Sequence, residues 1–153
     1  MQVQVRRAVP EDATAIAAVH VRTWQVAYRG LVPDELLDGL SVAERETVWR
    51  EALAGEQRPT VYVATSDEVV AGFCAVGTPT RDAGADGRVA EIGAIYVDPA
   101  VWRAGVARAL MEIALADLRA ADWHGVTLWG LWPAGVSDWA KRRNQAHIDG
   151  WLA

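Results

Sequence analysis

The pattern of apolar residues in the first part of the chain predicts a strand followed by a helix. Residues 2–8 alternate polar and apolar side chains, which predicts a first strand with one buried face. Pro10 and the two acidic residues after it predict the start of a helix. Apolar and aromatic residues then recur at helical spacing as far as Gly30, which predicts an amphipathic helix that this glycine ends. The positions on its predicted buried face are Ile16, Ala17, His20, Trp24 and Ala27.

The next segment predicts two helices and a hairpin. Residues 33–40 predict a short helix and residues 41–53 a longer one, in which Ser41 and Glu44 form a capping-box pattern. Residues 60–65 and 69–77 predict two strands joined by a tight turn at residues 66–68. Residues 78–88 are rich in Gly, Asp and Pro, which predicts a mobile surface loop.

The second half of the chain predicts a strand, a break, a helix and another strand. Residues 89–97 predict a strand with Gly93 inside it, where a glycine commonly marks a bulge or a close approach to the backbone. Asp98 and Pro99 end this strand. Residues 104–121 predict a long amphipathic helix, and residues 126–131 are apolar on both faces, as in an interior strand. The pattern predicts a single domain over residues 1–153.

Composition narrows the class of protein. A chain of 153 residues with 52% hydrophobic and 23% charged residues is typical of one globular domain. It has no apolar run of about 18 residues and no apolar leader, so we expect a cytoplasmic protein that does not cross a membrane. The net charge of -5 argues against nucleic acid as the main partner. The single Cys74 excludes a disulfide framework, and we interpret it as a small buried side chain.

Residues 91–115 carry the most informative pattern. A strand, a breaker and a small-residue loop lead into a helix, which leaves backbone N–H groups directed outward beside the positive end of the helix dipole. Ala104, Gly105 and Ala107 let an anion approach the backbone, and Arg103 and Arg108 add positive charge. A phosphate-bearing ligand suits such a loop, and an ordinary strand-to-helix turn is the alternative. Neither a P-loop nor a G-x-G-x-x-G fingerprint after a strand is present.

This segment resembles the GNAT superfamily of bacterial N-acetyltransferases. The family pattern is a strand ending in aromatic-Val-x-Pro, followed by Q/R-x-x-G-x-G/A at the start of a long helix. Here it reads YVDP at residues 96–99 and WRAGVA at residues 102–107, with Trp102 in place of the usual Gln or Arg. The segments VRRAVPEDATAIAAVH, TWQVAYRGLVPDELLDGLS and AGFCAVG are similar to one bacterial subgroup. The resemblance covers residues 3–131.

The resemblance implies a fold and a cofactor. The fold is α/β (α+β), with a mixed, mostly antiparallel central sheet flanked by helices and splayed between the strands at residues 89–97 and 126–131. Acetyl-CoA would bind with its pantetheine arm against the backbone of Tyr96 and Val97, and the N–H near Val97 would polarise the thioester carbonyl. No metal is expected. The backbone N–H groups implied to hold the pyrophosphate belong to Arg103, Ala104, Gly105, Val106, Ala107 and Arg108.

Acetyl transfer to an amine requires a base, because a lysine-type ammonium has a pKa of about 10.4. Glu91 matches the position where many family members carry a catalytic carboxylate, and a solvated or salt-bridged strand glutamate is the alternative. His20 is a second candidate, although its spacing with Trp24 predicts a packed side chain. Trp24 and Tyr28 lie where related enzymes line the acceptor pocket, and core packing explains them equally well.

The C-terminal segment departs from the family pattern. In the family, the strand at residues 126–131 is followed by a tyrosine that commonly protonates the departing thiolate, and then by two further strands. No tyrosine follows Tyr96 in this chain, and only Gly150 and Trp151 are similar to the family. We therefore expect the final hairpin to be missing, either because the segment is altered or because a partner subunit completes the sheet in a homodimer.

Two functions from different classes remain open on the sequence. The first is an N-acetyltransferase that moves an acetyl group from acetyl-CoA to a primary amine of a small molecule or peptide by direct attack. The second is a non-catalytic acyl-CoA-binding module or sensor, or a partly inactive member, which the missing tyrosine favours. The sequence does not identify the amine.

Overall fold

A five-stranded sheet lies at the centre of the computed structural model, which describes residues 1–56, 59–80 and 83–128. The strands lie side by side in chain order. The first four are antiparallel to one another, and the fourth and fifth are parallel. This is the mixed, mostly antiparallel sheet that the sequence predicts. The strands are β1 (Val3–Arg7), β2 (Thr60–Ser66), β3 (Val69–Gly77), β4 (Val89–Val97) and β5 (Gly125–Leu128).

Helices cover both faces of the sheet, and the α-helices of the described residues are α1 (Ala13–Ala27), α2 (Asp34–Asp38), α3 (Val42–Ala54) and α4 (Val106–Ala120). One face packs against α1 and α3 through a core that includes Ile16, Leu53 and Phe73. The other face packs against α4 through a core that includes Ile92 and Leu110. A short 3-10 helix at Pro10–Asp12 precedes α1, and a second one at Pro99–Val101 follows β4.

Local signals in the sequence explain two of the element boundaries. The Ser41 hydroxyl accepts a hydrogen bond from the Glu44 N–H at 3.2 Å, which caps the start of α3 as the capping pattern predicts. The turn between β2 and β3 places Asp67 and Glu68 at φ 50° and 65°. Two consecutive residues with positive φ are the mark of a tight hairpin turn, so the predicted hairpin is confirmed.

The first helix is buried over more of its surface than its pattern predicts. Val19, Val21 and Thr23 are buried beside the predicted positions, whereas Ala27 is exposed. The reason is that α1 packs against α3 as well as against β3 and β4. A helix with neighbours on two sides has no single apolar stripe.

Gly72 of β3 marks the closest packing between β3, β4 and α4. A Cβ at this position would lie 2.9 Å from the Tyr96 carbonyl oxygen and 3.1 Å from Cγ1 of Val106. We expect Gly72→Ala to lower the free energy of unfolding by about 1–3 kcal/mol, because the nearest neighbour is backbone and cannot turn away. Chemical denaturation measures this loss. Gly77→Ala, at the end of the same strand with nothing within 4 Å of its Cβ, is the matched control, and we expect it to be close to neutral.

Two predictions concern residues that are only partly described. β4 and β5 pair from Val89 with Gly125 to Ile92 with Leu128. The continuation of β5, where the splay is expected, and the predicted loss of the final hairpin both lie outside the described residues. None of the described helices is both long enough and apolar enough to span a membrane.

Candidate active site

A bulge in β4 determines which of its side chains face α1. Ala94 is opposite Ala75, and Ile92 is opposite Val76, so Gly93 is the extra residue between them. Ala90 and Ile92 pack on the α4 side, whereas Ala94 and Tyr96 pack on the α1 side. One extra residue moves every later side chain of the strand to the opposite face of the sheet. The bulge predicted at Gly93 therefore brings Tyr96 to the face that Glu91 occupies.

Glu91 is a buried carboxyl on this face. On β4 it is opposite Gly77 of β3 on one side and Thr127 of β5 on the other, and the residue is only 4% exposed. Oε2 accepts a hydrogen bond from the Thr80 hydroxyl at 3.3 Å. Thr80 Oγ1 in turn lies 2.8 Å from Thr127 Oγ1. Glu91 is therefore not the solvated surface glutamate that the sequence left as an alternative.

An aromatic cluster fills the space between α1 and the second half of β4. His20 stacks on Tyr96 with ring centroids 5.0 Å apart, and Trp24 contacts Tyr28 at 4.8 Å. Trp24 also lies 6.5 Å from Tyr96. The structure thus brings the two predicted acceptor-pocket residues to the aromatic residue at the end of β4. Trp49 and Phe73 complete the cluster.

His20 is held in one neutral form. Its Nδ1 accepts a hydrogen bond from the Trp49 indole N–H at 3.1 Å, which leaves the proton on Nε2. Burial, and to a lesser extent the charge of Arg45, lowers the pKa of His20 to about 4. With its Nδ1 lone pair already occupied, the imidazole has no free acceptor for a substrate proton. This arrangement argues against His20 as the catalytic base.

The two tyrosines of the cluster are also neutral near pH 7. Burial raises the pKa of Tyr96, an effect that the nearby indole of Trp24 partly offsets. Burial likewise raises the pKa of Tyr28. The Trp24 indole N–H is buried and, within the described residues, has no acceptor at hydrogen-bond distance. The cluster therefore presents neutral polar groups on an aromatic wall.

The loop between β4 and α4, where the sequence predicts an anion site, contains two residues with positive φ angles. Asp98 Oδ1 accepts a hydrogen bond from the Ala100 N–H at 3.0 Å, and its carboxylate also binds Arg22 of α1. Arg103 and Gly105 adopt φ angles of 68° and 86°, and α4 begins at the next residue. The predicted cofactor residues Arg103, Ala104, Gly105, Ala107 and Arg108 are exposed, whereas the side chain of Val106 is buried in the core.

The end of β4 is fixed by two side-chain contacts that sequence reasoning missed. The Val97 carbonyl accepts hydrogen bonds from the Thr23 hydroxyl at 3.0 Å and from the Trp102 indole N–H at 2.7 Å. The Asp98 N–H donates to Ala71 of β3 at 2.8 Å. Because successive residues of a strand direct their backbone groups to opposite edges, Val97 faces the edge away from β3. Trp102, which replaces the usual family residue, thus contacts this edge directly.

The predicted site residues lie along β4 in two groups. Glu91 belongs to its first half, where β5 is paired. Tyr96, Val97 and the loop 103–108 lie at its end, beside Trp24 and Tyr28. Thr80 and Thr127 are further residues that the sequence analysis missed, although Thr127 interrupts an apolar run and thereby gave a signal. No group of three or more His, Cys, Asp or Glu side chains able to hold a metal ion occurs in the described ranges.

The fold is shared with a known family of acyltransferases, as comparison with other proteins shows. The family model of the acetyltransferase (GNAT) family matches residues 20–131. The chain belongs to the GNAT acetyltransferase family, which confirms the resemblance found in the sequence.

Individual relatives agree with this assignment. The chain is 36% identical to the uncharacterized N-acetyltransferase YuaI of Bacillus subtilis (strain 168) over 129 residues, which cover 83% of this chain and 70% of that one. Its fold is similar to the PaiA N-acetyltransferase from Thermoplasma acidophilum in complex with coenzyme A, with a TM-score of 0.72, 16% identity and coverage of 94% and 89%. A GCN5-related N-acetyltransferase from Rhodopseudomonas palustris matches with a TM-score of 0.67, 22% identity and coverage of 93% and 81%.

Proposed function

We propose that the protein is an N-acetyltransferase that transfers an acetyl group from acetyl-CoA to a primary amine of a small molecule or peptide. The observation that carries the proposal is the exposed loop 103–108 at the junction of β4 and α4, in a chain of the GNAT family. A structural neighbour is solved with coenzyme A, which supports this choice of cofactor.

The pyrophosphate binds to the loop and to the first turn of α4. The N–H groups of Val106, Ala107 and Arg108 belong to that turn, where no preceding helical carbonyl can accept them. They lie at the positive end of the dipole of a helix that is 15 residues long. The side chains of Arg103 and Arg108 add positive charge at the surface, where two phosphate groups are best accommodated.

The pantetheine arm follows β4 from this loop towards the bulge. The N–H of Val97 faces the edge away from β3 and is the group that pairs with the arm, because the Val97 carbonyl already accepts two hydrogen bonds. The four residue steps from Val97 back to Gly93 span about 13 Å at 3.3 Å per residue. An extended arm therefore carries its thioester past Val97 towards Glu91, two residues beyond Gly93, so the Val97 N–H holds the arm rather than the thioester carbonyl that the resemblance assigned to it.

Glu91 acts as the base. It takes a proton from the ammonium, directly or through water, and the neutral nitrogen then attacks the thioester carbonyl. The carbon–sulfur bond breaks, the thiolate departs with the bonding electrons, and the nitrogen releases its second proton to solvent to give the neutral amide. A thiol pKa of about 8.5 makes this a tolerable leaving group even where no tyrosine protonates it. Trp24 and Tyr28 form the wall of the acceptor pocket beside Tyr96.

Calorimetry and a thiol-release assay test the proposal together. We expect CoA to bind the purified protein with measurable heat, and acetyl-CoA to release free thiol in the presence of at least one member of a panel of primary amines. The absence of CoA binding at millimolar concentrations would refute the proposal. Binding without turnover on any amine would favour the acyl-CoA-binding module, for which the lack of a tyrosine after Tyr96 is the specific argument. The homodimer and the cytoplasmic location stay predictions.

A further inference from the structure

We propose that Trp102 is a further cofactor-binding residue, whose indole ring packs against the pantetheine arm where the arm leaves the pyrophosphate loop. The inference rests on the proposed use of CoA. Trp102 stands where the family pattern usually has Gln or Arg, so that pattern assigns no role to an aromatic ring here. It lies between Val97 of β4 and the loop 103–108, the two places that the cofactor would join.

The short 3-10 helix after β4 folds Trp102 back onto the strand. Pro99 begins this turn, and the Asp98 carboxylate caps it by accepting a hydrogen bond from the Ala100 N–H at 3.0 Å. The indole N–H of Trp102 thereby reaches Val97, five residues earlier, and donates to its carbonyl at 2.7 Å. This bond holds the ring at the end of β4.

The same bond places the ring on the edge of β4 that the arm is proposed to follow. The Asp98 N–H donates to β3, so the N–H and the carbonyl of Val97 are both directed away from β3. A chain that pairs with the Val97 N–H runs about 4.8 Å from β4, which is the spacing between neighbouring strands. The indole nitrogen, 2.7 Å from the Val97 carbonyl oxygen, lies within this same layer. The arm therefore passes beside the ring.

The indole of Trp102 is preorganised for an apolar contact. Its N–H already donates to Val97, yet the residue is 41% exposed. An indole whose N–H is satisfied presents mainly apolar surface to a ligand. Because the ring is fixed before the cofactor arrives, packing against it costs little side-chain entropy. The pantetheine arm is uncharged and rich in methyl and methylene groups, which suit such a surface.

Calorimetry with two ligands tests the inference: CoA, and 3′-phospho-ADP, which is CoA without its pantetheine arm. In Trp102→Gln the side chain keeps a donor for the Val97 carbonyl but has no ring, and the Thr23 hydroxyl still donates to that carbonyl. We expect this variant to bind CoA about fivefold to tenfold more weakly than the wild-type protein, the effect of losing about 50 Å² of apolar contact. It should bind 3′-phospho-ADP as the wild-type protein does, because the phosphate contacts are unchanged.

Trp102→Phe is the matched control, because it keeps an aromatic ring and removes only the N–H. We expect this variant to retain most of the wild-type affinity for CoA. Equal losses for both ligands in Trp102→Gln would mean that Trp102 only shapes the loop, and this result would overturn the inference. An unchanged affinity of Trp102→Gln for CoA, or a phenylalanine variant as weak as the glutamine variant, would overturn it as well.

The same measurements keep this inference separate from the proposed function. If the wild-type protein binds no CoA, both fail. If it binds CoA but acetylates no amine, the proposed function fails, while the affinities of the two variants still decide the role of Trp102.

Discussion

Replacing Glu91 by glutamine is expected to lower the rate of acetyl transfer by about 10²–10⁴-fold, the range that a positioned general base contributes. Glutamine is close to isosteric and can still accept a hydrogen bond from the Thr80 hydroxyl. The substitution therefore removes the proton acceptor but does not change how residue 91 packs on the sheet. The measurement is thiol release from acetyl-CoA at saturating amine.

Binding of CoA distinguishes a lost base from a damaged fold. Because the pyrophosphate loop lies at the opposite end of β4, we expect Glu91→Gln to bind CoA in calorimetry as the wild-type protein does. Glu51→Gln, on the exposed surface of α3, is the matched control and should leave both turnover and binding unchanged. Turnover retained within a few-fold in Glu91→Gln would show that another group, or water alone, removes the proton.

The strands and helices were largely predictable because their signals are local. β4 has the predicted bounds Val89–Val97, and α4 begins two residues after the predicted start. In both cases a breaker or a small-residue loop interrupts a strong periodic pattern. The bulge at Gly93 was also predictable, since an interior glycine weakens a strand unless it has a positional role. Family membership followed from a motif that spans these same boundaries.

The contacts of the candidate site were less predictable, because they join segments far apart in sequence. Thr80 and Thr127 are 47 residues apart and meet only through the pairing of β4 with β5. Thr23 meets Val97 across 74 residues. A threonine in a helix is common, so no local pattern singles out Thr23, and the polar interruption at Thr127 does not show which residue it contacts. The departure at Trp102 was visible in the sequence, but its bond to the Val97 carbonyl depends on how the loop folds back.

The buried state of His20 predicts a second large effect, on stability in mild acid. Burial lowers its pKa from 6.5 to about 4, so in this window the unfolded chain binds a proton that the folded protein does not. The contribution of His20 to the free energy of unfolding is therefore fully present above pH 6.5 and is lost as the pH falls towards 4. In this window each pH unit changes the free energy of unfolding by about 1.4 kcal/mol. His20 should therefore lower the free energy of unfolding by about 3 kcal/mol between pH 7 and pH 4.

His20→Gln should remove this contribution, because glutamine does not titrate and its side-chain oxygen can still accept from the Trp49 indole. Denaturant unfolding at pH 7, 6, 5 and 4 measures the slope for both proteins. The hydrogen bonds with Arg6 lower the pKa of Asp12, so protonation of Asp12 also destabilises the protein in acid. This loss is the same in wild type and variant, so the difference between their slopes isolates the contribution of His20. Parallel slopes in wild type and His20→Gln would mean that His20 takes up a proton as readily in the folded protein as in the unfolded chain, and the argument against it as a base would fail.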